Sequence, residues 1–228
     1  MKAIITGGNR GIGFEVAKRL VARGFEVHVL SRSGLETPPA GITAWKVDVA
    51  DYESLKAVLD QIGVPDVFVN NAGIMNTRAA ADYGREHIQE ILDINLISAV
   101  RASVDLADRM AAVGGGRIVS VASVAGQIGH PDIWYGISKA GLINAMRSIA
   151  RSHGARGVIA NSVAPGPVDT DMMKSIPEAR KARLKSATIS QRFCSAEEVA
   201  DAILWLATDA PVYINGEVVD MNNGVNYR

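Results

Sequence analysis

The first thirteen residues leave this chain few folds to adopt. Residues 2–6 (Lys-Ala-Ile-Ile-Thr) read as a short buried strand, and Gly7-Gly8-Asn9-Arg10-Gly11-Ile12-Gly13 follows at once. The next run, Phe14-Glu15-Val16-Ala17-Lys18-Arg19-Leu20-Val21, spaces its apolar residues as a helix does. A glycine-rich turn between a strand and a helix N-terminus lets a pyrophosphate approach the backbone, where free N–H groups and the helix dipole favour negative charge. The spacing is Gly-x-x-x-Gly-x-Gly, on Gly7, Gly11 and Gly13, rather than the commoner Gly-x-Gly-x-x-Gly. In this strand–turn–helix setting it points to dinucleotide binding.

Strands and helices alternate through the rest of the chain without a linker or internal repeat. Strands are expected at 26–30, 43–47, 66–69, 117–121, 158–163 and 217–220, and helices over 51–62, 85–113, 135–153 and 196–208. Gly114-Gly115-Gly116 stops the longest helix, and Ser195 with Glu198 three residues on is a capping-box pattern. Such alternation implies a parallel sheet with helices on both faces, an α/β doubly wound architecture of the Rossmann type in one domain over residues 1–228. Ligands of such sheets bind at the carboxyl ends of the strands, and strands 1, 4 and 5 end at the glycine loop, Asn70 and Ser123. The connection between strands 2 and 3 is only residues 31–42, with Pro38-Pro39 inside it. A right-handed crossover usually needs a dozen or more residues, so this one is expected to be irregular and to leave the adenosine end of the pocket open.

Composition sets outer bounds. Among 228 residues, 24 Lys plus Arg balance 24 Asp plus Glu, so no overall field recruits nucleic acid or a membrane surface. The lone Cys194 excludes an internal disulfide and suits a reducing compartment. No secretory signal or membrane-length apolar run is visible, and a soluble cytoplasmic protein is the expectation. His28, His87, His130 and His153 are scattered without metal-ligand spacing, so no metal is expected.

The chemistry lies in Tyr135-Gly136-Ile137-Ser138-Lys139, with Ser123 twelve residues upstream of the tyrosine. A tyrosine and a lysine four apart share one helix face. An ammonium near a phenol favours the phenolate, so Tyr135 is expected to have a lowered pKa and to exchange a proton near neutral pH. With the glycine loop, these residues make the chain resemble the short-chain dehydrogenase/reductase family from about Lys2 to Gly224. The motifs stand in order as Thr6-Gly7-Gly8-Asn9-Arg10-Gly11-Ile12-Gly13, Asn70-Asn71-Ala72-Gly73, Asn95, Ser123, Tyr135 with Lys139, and Pro165-Gly166 followed by Thr170. The C-terminus departs from the family's Asp-Gly-Gly ending and reads Asn222-Asn223-Gly224.

The resemblance implies seven strands in the order 3-2-1-4-5-6-7 and a catalytic set of Asn95, Ser123, Tyr135 and Lys139. Tyr135 would exchange the proton with the substrate oxygen, Ser123 would hydrogen-bond that oxygen, and Lys139 would depress the tyrosine pKa and hold the nicotinamide ribose. Asn95 would hold a water linking Lys139 to solvent. The cofactor would rest on Gly7, Asn9, Arg10, Gly11, Ile12, Gly13, Asp48, Val49, Asn71, Ala72, Gly73, Pro165, Gly166, Val168 and Thr170. Strand 2 ends Val29-Leu30-Ser31-Arg32, without the carboxylate of members that prefer NAD. Arg32 and Arg10 would flank a 2′-phosphate and Ser31 donate to it, so NADP(H) is preferred, with NAD(H) the second option.

The pocket is expected to be walled by Gln127, Ile128, His130, Trp134, Val168, Met172 and Met173, with Met75 nearby. That mixture suits a small apolar or aromatic ketone or secondary alcohol. The favoured function is therefore NADP(H)-dependent carbonyl reduction or alcohol oxidation. The alternatives are 3-oxoacyl-[acyl-carrier-protein] reduction, with Arg101, Arg147 and Arg151 as a docking patch for an acidic carrier, and a non-catalytic cofactor sensor or scaffold. The resemblance also implies a homodimer or homotetramer through the helices at 85–113 and 135–153. There the small residues Gly136, Ala140, Gly141, Asn144, Ala145 and Ser148 would permit close approach.

Overall fold

The computed structural model describes residues 1–76 and 82–227. Its elements run β1 (Lys2–Thr6), α1 (Gly11–Ala22), β2 (Glu26–Ser31), β3 (Ile42–Lys46), α2 (Tyr52–Ile62), β4 (Val67–Asn70), α3 (Arg85–Leu92), a π-helical turn (Asp93–Ile97) and α4 (Ser98–Ala112). They continue with β5 (Gly116–Val121), α5 (Ile133–His153), β6 (Val158–Pro165), α6 (Glu178–Ser186), α7 (Ala196–Thr208) and β7 (Val218–Met221). The strands form one sheet in the order β3-β2-β1-β4-β5-β6-β7, and every pairing among them is parallel.

Apolar side chains leave both faces of this sheet, as a fully covered parallel sheet requires. On one face Val16, Ala17 and Leu20 of α1 and Val199, Ile203 and Leu206 of α7 pack over Ile5, Val27 and Val69. On the other, Leu55 and Leu59 of α2, Leu106 and Met110 of α4, and Leu142 and Met146 of α5 pack over Ile4, Phe68 and Ile118. Among the described residues no helix is long and apolar enough to cross a membrane.

Two details depart from the sequence reading. The helix expected over 85–113 contains the π turn at Asp93–Ile97, with Asn95 inside it. A second helix, α6, was not expected at all, because Glu178–Ser186 buries no residue and has no apolar stripe. Gly136 and Gly141 also permit close approach within the chain. A Cβ at Gly141 would lie 3.0 Å from Leu96, and one at Gly136 would lie 3.1 Å from the Ala125 carbonyl. The short β2–β3 connection does cross without a helix, as its length and prolines suggest.

The capping box of α7 is complete. Ser195 Oγ accepts from the Glu198 amide at 3.2 Å, and the Glu198 carboxylate accepts from the Ser195 amide at 2.8 Å. Arg192 grips the same carboxylate with two nitrogens at 2.7 and 2.6 Å. Replacing Ser195 by alanine is expected to remove about 1 kcal/mol of stability, read as a lower urea midpoint at unchanged slope. An unchanged midpoint would mean that the arginine clamp alone fixes this turn.

Candidate active site

Every parallel strand points its carboxyl end to the same edge, and there a cleft of about 730 Å³ opens. Its floor at one end is the glycine loop. Gly7 takes φ +64°, and a Cβ there would lie 2.9 Å from Ala72 Cα. Gly13 is not exposed to the cleft; a Cβ on it would lie 2.5 Å from Asn71 Nδ2 and 2.6 Å from the Gly7 carbonyl, so it lets α1 pack beneath the loop. Asn71 holds this arrangement by donating to the carbonyls of Thr6 (3.1 Å) and Gly7 (2.9 Å). Thr6 Oγ1 in turn accepts from the amides of Asn71 and Ala72, both at 3.1 Å.

The N-terminus of α1 faces this loop without a side-chain cap, whereas α2, α5 and α7 are capped by Asp51, Asp132 and Ser195. An uncapped helix N-terminus on a glycine turn offers free N–H groups and a positive dipole end to an anion. The residues present therefore fit a pyrophosphate. Asn9, Arg10, Gly11, Ile12, Ser31, Arg32, Asp48, Val49, Ala72 and Gly73 line the cleft around it. Ser31 Oγ accepts from the Gly34 amide at 3.1 Å, which leaves its proton free to donate. The Arg32 side chain is exposed and has no hydrogen-bond or ion-pair partner among the described residues. Arg10, expected to stand beside it, instead pairs with Asp171 across the cleft mouth at 3.1 Å. Asp48 Oδ1 accepts from the Ala50 amide at 3.0 Å while remaining at the cleft wall.

At the other end Ser123, Tyr135 and Lys139 meet. Asp132 caps α5 by accepting from the Tyr135 amide at 3.1 Å, and this starts the helix two residues earlier than the sequence suggested. Ser123 follows β5 and caps a short 3-10 turn, its Oγ accepting from the Ala125 amide at 3.1 Å. The Ser123 hydroxyl stands close enough to the Tyr135 phenol to favour the phenolate. Lys139 is buried, with 4% of its surface exposed, and its ammonium donates to the Val121 carbonyl at 2.8 Å. It stands 5.8 Å from the centre of the Tyr135 ring.

The electrostatics differ from the expectation that the lysine lowers the tyrosine pKa. Burial pushes the Tyr135 pKa up, the nearby Ser123 hydroxyl opposes this, and the Asp132 carboxylate adds to the rise. Burial also pushes Lys139 down to about 8. At both groups the loss of water is the dominant cause.

Asn95 is fully buried and does not line the cleft. Its amide brackets Ile74, accepting from the amide and donating to the carbonyl, both at 2.8 Å, and also donates to Ser138 Oγ at 3.2 Å. A Cβ on Gly73 would lie 3.3 Å from Asn95 Oδ1 and 3.4 Å from Lys139 Nζ, so that glycine separates the two by little more than its own backbone.

Pro165, Gly166, Val168, Thr170, Met172, Met173, Ile128, His130 and Met75 all line the cleft. Gln127 and Trp134 do not. Gln127 donates to Asp220 at 2.6 Å and accepts from Asn226 at 3.4 Å, partners that sequence separation concealed. Sequence reasoning overlooked Thr6, Asp132, Ser138, and the α6 residues Arg180 and Leu184, which also line the cleft. The capping geometry of Asp132, three residues before Tyr135, was the one signal available for them.

The family model described as enoyl-(acyl carrier protein) reductase matches residues 7–226. The chain is 34% identical over 234 residues to the 3-oxoacyl-[acyl-carrier-protein] reductase of Escherichia coli (strain K12), covering 98% of this chain and 96% of that protein. It is 34% identical over 227 residues to the corresponding reductase of Mycobacterium avium, covering 97% and 88%. Among solved structures it superposes on a 3-oxoacyl-[acyl-carrier protein] reductase from Brucella melitensis ATCC 23457 with a TM-score of 0.88 at 26% identity, covering 99% of this chain and 91% of that one. The structure described as ElxO with NADP bound gives a TM-score of 0.87 at 26% identity, covering 98% of each chain.

The buried ammonium has a measurable signature. Lys139 binds its proton less tightly in the folded chain (about 8) than at its ordinary value of 10.5, so it penalises the fold below pH 8. That penalty is relieved as pH rises from 8 to 10.5. Relative to Lys139→Met, the ligand-free protein is expected to gain up to about 3 kcal/mol across that window, read by denaturant unfolding at each pH. Parallel pH profiles for the two proteins would show that the ammonium is not desolvated.

Proposed function

The chain belongs to the short-chain dehydrogenase/reductase family of oxidoreductases, and from that premise we propose that it reduces 3-oxoacyl thioesters on an acyl-carrier protein with NADPH. The observation that carries the reading is Ser123, Tyr135 and Lys139 meeting in a cleft that begins at the uncapped N-terminus of α1. The substrate class is supported by the 3-oxoacyl-[acyl-carrier-protein] reductases that match the chain over almost its whole length. It displaces the small apolar or aromatic ketone first favoured for this cleft. The apolar lining of Ile128, Met172, Met173, Ile176 and Leu184 suits an acyl chain as well as a ring.

In this reading NADPH supplies the hydride to the C3 carbonyl. The residues of the chain then manage the charge that develops on oxygen. Tyr135 keeps its proton in the buried site and gives it to that oxygen, while the Ser123 hydroxyl donates a hydrogen bond to the same atom. The Lys139 ammonium stabilises the phenolate left behind. Asn95 is a positioning residue, tying the segment after β4 to α5 through Ile74 and Ser138. The free N–H groups of α1 hold the pyrophosphate, Arg32 and Ser31 the 2′-phosphate, and Asp48 and Val49 the adenine. Pro165, Gly166, Val168 and Thr170 line the nicotinamide end. A sensor or scaffold has no use for the paired hydroxyls. Exposed Ile97, Val104 and Ile137, on the π turn, α4 and α5, support a homodimer or homotetramer, and cytoplasmic residence accords with the same reading.

Tyr135→Phe is expected to keep NADPH affinity and lose at least about 10²-fold in turnover of an acetoacetyl-carrier substrate. Unchanged turnover would remove the tyrosine from the chemistry. Arg32→Ala is expected to raise the KM for NADPH by about tenfold or more, as loss of a charged hydrogen-bond donor to phosphate does. The KM for NADH should stay near its wild-type value; an equal effect on both cofactors would place Arg32 elsewhere than at the 2′-phosphate.

A further inference from the structure

Of the basic side chains that line the cleft, Arg180 has no assigned task. It sits in the first turn of α6, half-buried, and lines the cleft with Met173, Ile176 and Leu184. Its guanidinium has no hydrogen bond and no ion pair among the described residues. Of the acidic neighbours, Asp132 shares the surroundings of His130 but makes no ion pair with Arg180 among the described residues, and two others are committed elsewhere. Asp171 is held by Arg10 at 3.1 Å and by Lys174 at 2.5 Å, and Glu178 is held by Lys181 at 2.7 Å. Its charge reaches His130, where burial first and Arg180 with it disfavour protonation, so that imidazole neither neutralises nor repels strongly as a cation. The His130 ring lies 5.5 Å from the Tyr135 ring, which puts Arg180 on the reacting side of the cleft, remote from the Arg32 end.

A half-buried guanidinium beside an apolar wall is favourable mainly when its planar fork meets a carboxylate or phosphate. We infer that Arg180 receives an anionic group of the substrate, carboxylate or phosphate, at the α6 side of the cleft. This deepens the reductase reading and rests on it for the reaction, though not for the binding. Two sources share the chemistry: the carboxylate of a free 3-oxo acid, and the phosphate of a phosphopantetheine arm that bears the thioester. Arg180 is thus a specificity residue, separate from the proton transfer at Tyr135.

The test compares wild type, Arg180→Leu and Arg180→Lys on two matched pairs: acetoacetate with ethyl acetoacetate, and acetoacetyl-phosphopantetheine with acetoacetyl-N-acetylcysteamine. For the anionic member of at least one pair, Arg180→Leu should raise KM by at least about tenfold with kcat within about twofold, and Arg180→Lys should recover part of the loss. The neutral members should be unaffected. The pair that responds identifies carboxylate or phosphate as the group. Equal changes for neutral and charged members, or no change for either anion, would overturn the inference. Calorimetric titration of acetoacetate and of phosphopantetheine into the NADP⁺-bound proteins separates the two readings. Binding lost in Arg180→Leu without turnover of any substrate by wild type would sink the reductase reading and leave the Arg180 site standing. Failure of wild type to bind either anion would sink the site.

Discussion

A lysine ammonium enclosed by protein, with one backbone carbonyl as its partner, is the constraint around which the reacting end of this molecule is built. Taking a cation out of water is unfavourable by several kcal/mol unless other groups compensate. Here the Val121 carbonyl at the end of β5 accepts its hydrogen bond, and the lowered proton affinity of Lys139 records what is left uncompensated. The surroundings accept this because the segment after β4 passes close by as a glycine, and Asn95 pins that segment to the π turn through both hydrogen bonds of Ile74. The added residue of a π turn re-aims one side chain without ending the helix, and such turns often mark functional sites. A ligand that offers acceptors to the ammonium would relieve the strain, so binding and charge burial are thermodynamically linked.

The opposite end of the cleft follows a complementary logic. Where α2, α5 and α7 satisfy their first amides with a side chain, α1 leaves its own open to the glycine loop. The loop is bound to the end of β4 by Asn71, which donates to the carbonyls of Thr6 and Gly7, and by Thr6 Oγ1, which accepts from the amides of Asn71 and Ala72. The two ends are therefore fixed to the same sheet edge through adjacent strands. The spacing between an anion at α1 and a carbonyl at Tyr135 is set by β-sheet geometry, not by loop flexibility.

Much of this was legible in the chain. The buried strand at 2–6, the glycine turn and the capping box at Ser195 are local patterns whose physical meaning does not depend on distant residues. The strand ends at Asn70 and Ser123 could be aligned because a parallel sheet brings all carboxyl ends together. What stayed hidden is tertiary. Gln127 turns away from the pocket because Asp220, ninety-three residues on, takes its amide. Arg10 stays on the cleft wall but is tied to Asp171, a partner distant in sequence. Helix α6 carries no apolar period, since its contribution is to one wall of a cleft and not to the core. The sign of the Tyr135 shift was unreadable for a related reason, because sequence spacing gives the distance to a charge but not the loss of water.

That sign tells which form of Tyr135 the folded chain favours. Two charges act on Tyr135 from the same helix. Asp132, at the cap, is buried with one carboxylate oxygen unpartnered among the described residues, and it favours the protonated phenol. Lys139, one turn inside, favours the phenolate once it is charged and close enough. In the ligand-free chain burial and Asp132 prevail, and the tyrosine holds its proton. A phenol that keeps its proton is able to donate it, which is what the proposed reduction asks of it. Oxidation needs the phenolate instead, and therefore needs the balance between Asp132 and Lys139 to be tipped by what binds in the cleft. In the reduction proposed above the phenol is the form that donates, whichever acyl group the wall of α6 admits.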